Sequence, residues 1–311
     1  MEIVSLVILL VISIFILIKS ADLTISSLKE LTRELHAKAF AVSAIILAIA
    51  TSLPEMFVGI SSALNGDSSI TFGNLVGANI LNITFVVGIS IILMGKTFAG
   101  GRVVHREMLS AGITGALPAI LFLDGQISKI DGFLLLSVYL ITVRGLFRNK
   151  FIEVGRHHLD KVTKKTLIHL ILGLGFLILS SNFVVKSVSE LASSLGVSTF
   201  LIGAIILSFG TTLPELVVSI ESLKKGSSQV FFGNILGSLI VNSTLILGLV
   251  AIIHPIGSLG SEEYFLSSLL FVITYMIFWI FAHTKDKIEK WEAIILVLIY
   301  IVDAVIIFMK R

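Results

Sequence analysis

Apolar stretches long enough to cross a bilayer recur from one end of this chain to the other. Ten are countable, at roughly 3–31, 38–64, 70–95, 106–123, 131–147, 167–192, 198–223, 229–253, 262–283 and 289–309. The hydrocarbon core offers backbone amides no water, so each stretch must satisfy its own hydrogen bonds as a helix. Only 14% of the 311 residues are charged, where a soluble domain carries about a quarter. The expected fold is therefore an all-α integral membrane protein. Without cysteine, neither disulfides nor thiolate metal sites are available. The first run, Val4 to Ile18, has no basic stretch before it and no small-residue cleavage site after it. It reads as a retained first helix and not as a signal peptide. Ile25 to Leu35 then turns amphipathic, as an extension along the inner surface would.

The charges give orientation. With the N-terminus outside, the cytoplasmic loops hold 19 of the 23 Lys and Arg residues, and only Lys129, Lys186, Lys310 and Arg311 fall outside. This bias is the positive-inside rule. It predicts ten spans in a cell membrane, with both termini extracellular. The longest polar stretch is a basic linker at 148–166. It divides the chain into a half at 1–147 and a half at 167–311, each with five spans. The basic residues lie in these short loops, so no nucleic-acid partner is expected.

The halves are related. Residues 43–88 align without gaps to 203–248 at a constant offset of 160, with 21 of 46 positions identical. The copies lie five spans apart. Five is odd, so the second copy enters from the opposite side and the repeat is inverted, the architecture of many secondary transporters.

Two of the four prolines sit at equivalent places in this repeat, in "ATSLPE" (50–55) and "GTTLPE" (210–215). Proline lacks an amide hydrogen and clashes with the carbonyl four residues earlier. Pro54 thus frees the carbonyl of Ala50, and Pro214 frees that of Gly210. The carbonyls of Ala48, Thr51, Ser208 and Thr211 are expected to tilt as well, making these helices discontinuous. Thr51, Ser52, Thr211 and Thr212 add hydroxyls, and Glu55 and Glu215 add charge. Oxygen-only clusters suit hard cations, and calcium takes about 6–8 oxygens, whereas magnesium prefers to keep its waters. Two carboxylates neutralise one divalent ion. When it leaves, repulsion and desolvation favour replacement by protons or monovalent cations, which is the basis of antiport. No Lys or Arg lies near either glutamate in the repeats.

The second helix of each repeat carries "GNLVGANILN" (73–82) and "GNILGSLIVN" (233–242). The glycines four apart predict close helix packing. Asn82 and Asn242 are expected to face the glutamates, with a purely interhelical hydrogen bond as the alternative. Asn74 and Asn234 fit either the site or interhelical bonding.

These four motifs resemble the calcium/cation antiporter superfamily, most closely its prokaryotic sodium/calcium exchanger branch, over the whole chain. The resemblance implies calcium ligated by Glu55, Glu215 and the carbonyls of Thr51 and Thr211. It implies flanking sodium sites drawing on the Ala48 carbonyl, Ser52 and Ser238, and on the Ser208 carbonyl, Thr212 and position 78, with Asn82 and Asn242 lining the middle. The ions are transported cargo, and no cofactor is expected. It also implies that the first and sixth helices slide against the remaining bundle, in a protein functional as a monomer in the lipid bilayer. Three positions depart from the family pattern: Ala78 where a serine is common, Asn242 where some members have aspartate, and Ala50 in place of glycine. They bear on the coupling ion, sodium or protons, and leave the divalent site intact.

A proton/calcium antiporter of the same superfamily is the second reading. A channel fits the inverted repeat less well. A metalloenzyme would need a motif such as HExxH, which the sequence lacks. Outside the repeats, His105, His157 and His158 read as solvated loop residues, Asp303 as snorkelling or as a polar contact within the bundle, and Asn182 as helix-packing glue.

Overall fold

A computed structural model describes residues 3–34, 47–94, 102–148, 164–257, 261–284 and 287–309. Residues 43–46 of the repeat, most of the basic linker, and His157 and His158 lie outside the described residues. In chain order the helices are α1 (Ile3–Glu34), α2 (Leu53–Leu64), α3 (Ser68–Leu81), α4 (Val87–Met94), α5 (Arg102–Leu121), α6 (Lys129–Arg148) and α7 (Lys164–Leu195). They continue as α8 (Thr199–Ile202), α9 (Ser208–Thr211), α10 (Leu213–Lys224), α11 (Ser228–Ile240), α12 (Leu247–Ile253), α13 (Ser261–Thr284) and α14 (Lys290–Met309). Among the described residues, one two-residue antiparallel ribbon interrupts the helices, pairing β1 (Gln126–Ile127) with β2 (Ile256–Gly257).

Among the described residues, eight helices are long and apolar enough to cross a membrane. Leu53–Leu64 is a shorter apolar helix, and α6 is a further helix of 20 residues. The protein is a multi-span integral membrane protein.

Burial sorts the spans into centre and periphery. Of the most apolar 18 residues of Ser68–Met94, 83% are buried, and of those of Ser228–Ile253, 78%. For the corresponding stretches of Ile3–Ser27 and Lys290–Met309 the value falls to 28%. The most buried spans are thus the second helices of the two repeat copies. They carry glycines where other backbones approach. A Cβ at Gly73 would collide with the carbonyl of Phe200, and one at Gly77 with the carbonyl of Ala204. α3 therefore packs directly on the helix of the other half that leads into "GTTLPE".

The sequence offset returns in the elements. α2 and α10 are both 12 residues long and begin 160 positions apart, as do the starts of α3 and α11. The intervening turns use Gly66 at φ 78° and Gly226 at φ 70°, a left-handed conformation that glycine adopts without steric cost. Both repeats also widen into π-helix after α3 and α11, at Asn82–Val86 and Val241–Ile246. A third such segment, Gly203–Leu207, lies before α9. These widenings, frequent at functional sites, left no mark in the hydropathy pattern.

At one side of the bundle α1 and α7, each of 32 residues, pack along one another. Leu6, Leu10, Leu17 and Ala21 form the buried stripe of α1 against Leu177, Val184 and Val188 of α7. The opposite faces expose Val4, Val11, Phe15, Ile171, Leu179 and Phe183, as lipid contact requires. Asn182 accepts from the Ser61 hydroxyl at 2.8 Å, joining α7 to α2. Asp303 accepts from the Thr274 hydroxyl at 2.9 Å, joining α14 to α13. Both are contacts within the bundle, as expected for Asn182 and as one of the two readings of Asp303 had it. His105 differs from expectation. It stands on α5, and its Nδ1 hydrogen-bonds His283 Nε2 on α13 at 2.7 Å.

Candidate functional site

Each hexapeptide bends its helix mildly. Ser52 (φ −83°, ψ 11°) and Thr212 (φ −82°, ψ −2°) mark the joints where α2 and α10 begin. The helical ladder runs on across them. Ser52 N donates to Ala48 O at 3.1 Å and Met56 N to Ser52 O at 3.0 Å. Thr212 N donates to Ser208 O at 3.0 Å and Leu216 N to Thr212 O at 3.1 Å. The carbonyls of Ala48 and Ser208, which the sequence led us to expect tilted, thus keep backbone donors. Proline removes one donor only, and a ψ near zero at the preceding joint absorbs its ring within a single turn. Each carbonyl also accepts weakly from the threonine of its own hexapeptide, Thr51 at 3.3 Å and Thr211 at 3.4 Å.

The fold gathers the expected residues at the centre. Ala48, Thr51, Ser52, Glu55, Asn82, Ser208, Thr211, Thr212, Glu215, Ser238 and Asn242 are all at most 1% exposed. Glu55 and Glu215 come from different halves, and Ser52, three residues before Glu55, donates across to Glu215 Oε1 at 3.5 Å. Among the described residues, no Lys or Arg pairs with either.

The threonines are held across the halves. The Thr51 hydroxyl donates to Asn234 Oδ1 at 3.3 Å, and the Thr211 hydroxyl donates to Asn74 Oδ1 at 3.1 Å. The offset of 160 converts one pair into the other. Asn234 Nδ2 donates onward to the Glu215 carbonyl at 3.2 Å and to Ser219 Oγ at 3.3 Å. Asn74 and Asn234 thus buttress the hexapeptides, which the sequence had left open between two roles.

The carboxylates are served unequally. Glu215 Oε1 accepts from Ser238 at 3.3 Å and from Ser52 at 3.5 Å, and Thr51 lies beside it as well. Glu55 has the Thr211 hydroxyl beside it. Ala78 stands where Ser238 stands in the other half, and the hydroxyl of Thr212, equivalent to Ser52, has no partner.

Polar atoms left over define what the centre can hold. Glu55 Oε2, Glu215 Oε2, Thr212 Oγ1, Asn82 Oδ1 and Asn242 Oδ1 are buried and lack hydrogen-bond partners. Buried polar atoms are normally satisfied. These five are oxygens, two of them from carboxyl groups, a ligand set that fits a hard cation; Asn74 Nδ2, buried beside them, is unpartnered as well. The segments bearing the amides pack on the glutamate helices: Asn82–Val86 on α10, and Val241–Ile246 on α2.

One polar residue at the centre escaped sequence reasoning. Asn79 on α3 accepts from Asn242 Nδ2 at 3.1 Å and donates to Ser243 Oγ at 2.8 Å. The repeat gave no signal for it, because Leu239 occupies the equivalent position.

Known proteins place this geometry. The family model described as sodium/calcium exchanger protein matches residues 5–147 and 165–309. The chain is 28% identical over 290 residues to the inner membrane protein YrbG of Escherichia coli, covering 87% of this chain and 88% of that protein. It is 26% identical to the sodium/calcium exchanger MaX1 of Methanosarcina acetivorans, covering 96% and 97% of the two chains. Its structure is similar to that of the sodium-calcium exchanger NCX_Mj at a TM-score of 0.68, with 25% identity over 97% of this chain and 98% of that one. With nearly the whole chain matched by the family model, this protein is a transporter, not an enzyme, and belongs to the sodium/calcium exchanger family.

Proposed function

We propose that the protein is a secondary active antiporter that exchanges Ca²⁺ for Na⁺ by alternating access. The observation that carries this reading is the pairing of Glu55 and Glu215 from the two halves, buried together with no basic partner among the described residues and fringed by unpartnered oxygens. Two bare carboxylates in a dry interior are costly. A divalent cation removes both the repulsion and the desolvation penalty, and monovalent cations do so when it leaves. Thr51 and Thr211 complete the calcium site through their carbonyls. Ser52, Ser238 and the Ala48 carbonyl flank it on one side. Thr212 and the Ser208 carbonyl flank it on the other, and Asn82 and Asn242 line the middle.

The architecture proposed around this site is ten spans in two inverted five-helix repeats, 1–147 and 167–311, joined by the basic linker at 148–166. The equal lengths and offset of α2 and α10 support it, as do the two separate segments matched by the family model. Such a pair of hairpins can open to either face by one motion, with α1 and α7 as the sliding elements. The protein would act as a monomer in the cell membrane, both termini outside, in keeping with the charge bias of its loops.

Proton/calcium exchange is the second reading. Ala78 favours it, since it removes a hydroxyl from the Glu55 side, where a sodium ion would need it. One experiment separates the two: calcium-45 uptake into proteoliposomes, driven by a sodium gradient or by a pH gradient at clamped voltage. Uptake driven by sodium is expected. Uptake driven by the pH gradient alone would replace sodium with protons as the coupling ion, and uptake under neither gradient would sink antiport.

A further inference from the structure

Asn79, Asn242 and Ser243 form a hydrogen-bonded chain that leaves the second half, enters the first and returns. All three are buried, at 4%, 1% and 2% exposure. Asn79 Nδ2 donates to Ser243 Oγ at 2.8 Å, and Asn79 presents its oxygen to Asn242. Asn242 meets that oxygen with its own Nδ2 at 3.1 Å. The Asn242 carboxamide is thereby oriented, with Oδ1 turned away from the contact, buried and unpartnered.

The equivalent latch is missing in the other half. Shifted by 160, Asn79 becomes Leu239 and Ser243 becomes Ile83. Neither side chain can hydrogen-bond, so Asn82 has no such holder. The asymmetry lies at the two amides that pack over the glutamate helices, and packing alone does not require it, because leucine fills the same place in the second repeat.

We propose that Asn79 is a positioning residue that holds the Asn242 carboxamide with its oxygen toward the transported cation. The inference rests on the exchange function proposed above. A carboxamide has a wrong end: turned over, it would present an N–H dipole to the ion. Freed from Asn79, Asn242 would sample both orientations, and cation binding would have to select one of them.

The test uses full-length protein, with two readouts: half-maximal Ca²⁺ for calcium-45 uptake, and the Tm shift produced by Ca²⁺ in detergent. Asn79→Leu is expected to raise half-maximal Ca²⁺ by about three- to ten-fold, the range of one hydrogen bond, and to shrink the Ca²⁺-induced Tm shift. Ser243→Ala, which removes the partner of Asn79 Nδ2, is expected to act in the same direction and less strongly, and it carries the test if Asn79→Leu does not fold. In an Asn242→Asp background, Asn79→Leu is expected to have no such effect, because a carboxylate presents oxygen in either orientation. A purely structural bond would lower Tm without changing half-maximal Ca²⁺, in either background, and that result overturns the proposal. If the unmodified protein neither takes up Ca²⁺ nor gains Tm from it, the exchange function falls and the proposal falls with it.

Discussion

The hydroxyl of Thr211 in the second half donates to Oδ1 of Asn74 in the first at 3.1 Å. Its counterpart, Thr51 to Asn234, measures 3.3 Å. Each half thus supplies the brace for the other half's hexapeptide, and neither hexapeptide is held in place by its own repeat alone. The consequence is that damage to a brace should reach both ion binding and stability.

Thr211→Val keeps the shape and removes the donor, leaving Asn74 Oδ1 buried and unbonded. A loss of about 1–3 kcal/mol of stability is expected. Thermal unfolding in detergent measures it. An unchanged Tm would mean that the contact contributes nothing.

Glu55→Gln and Glu215→Gln should each abolish calcium-45 uptake. Each should also remove the rise in Tm that Ca²⁺ gives the unmodified protein, since a ligand stabilises only the state that binds it. Because glutamine relieves the repulsion between two buried acids, the variants are expected to be at least as stable without Ca²⁺. Near-normal uptake in both would remove the glutamates from the site.

Ala78→Ser restores to Glu55 the hydroxyl that Ser238 gives Glu215. If Na⁺ is the coupling ion, half-maximal Na⁺ for Ca²⁺ exchange should fall by about three- to ten-fold, the range of one added oxygen contact. Ser238→Ala should raise it. Movement of both in the same direction would show that the two flanks are not equivalent sodium positions.

Gly77→Ala should prevent correct packing, because the new Cβ meets the backbone carbonyl of Ala204, which cannot move aside without shifting its helix. Gly175→Ala, in a position with nothing within 4 Å, should be neutral or stabilise by about 0.5–1 kcal/mol. Size-exclusion profiles and Tm values of the two variants make the comparison. Equal behaviour would refute the close approach of α3 to the opposite half.

Much of the centre was legible before any coordinates. The two hexapeptides and the two glycine–asparagine motifs stood out because they are polar in apolar surroundings and occur twice. Their residues do converge, each at most 1% exposed. Other features were misread or missed. His105 reads as a loop residue yet bonds His283, 178 positions away. The Ala48 and Ser208 carbonyls were expected to tilt, yet they keep their amide donors, because one missing amide hydrogen perturbs a helix by only about a turn.

By itself the sequence determined that the chain spans a membrane, that it is built on a repeated segment, and which acids lie within apolar helices. Hydropathy, proline chemistry and a constant offset of 160 are properties of the chain read along its length. The tertiary structure alone decided who meets whom across the halves: Thr211 with Asn74, Ser52 with Glu215, Asn79 with Asn242. Those partners lie 137, 163 and 163 residues apart. An amide's orientation depends on the neighbour it meets in space, and no pattern along one strand of sequence encodes that neighbour.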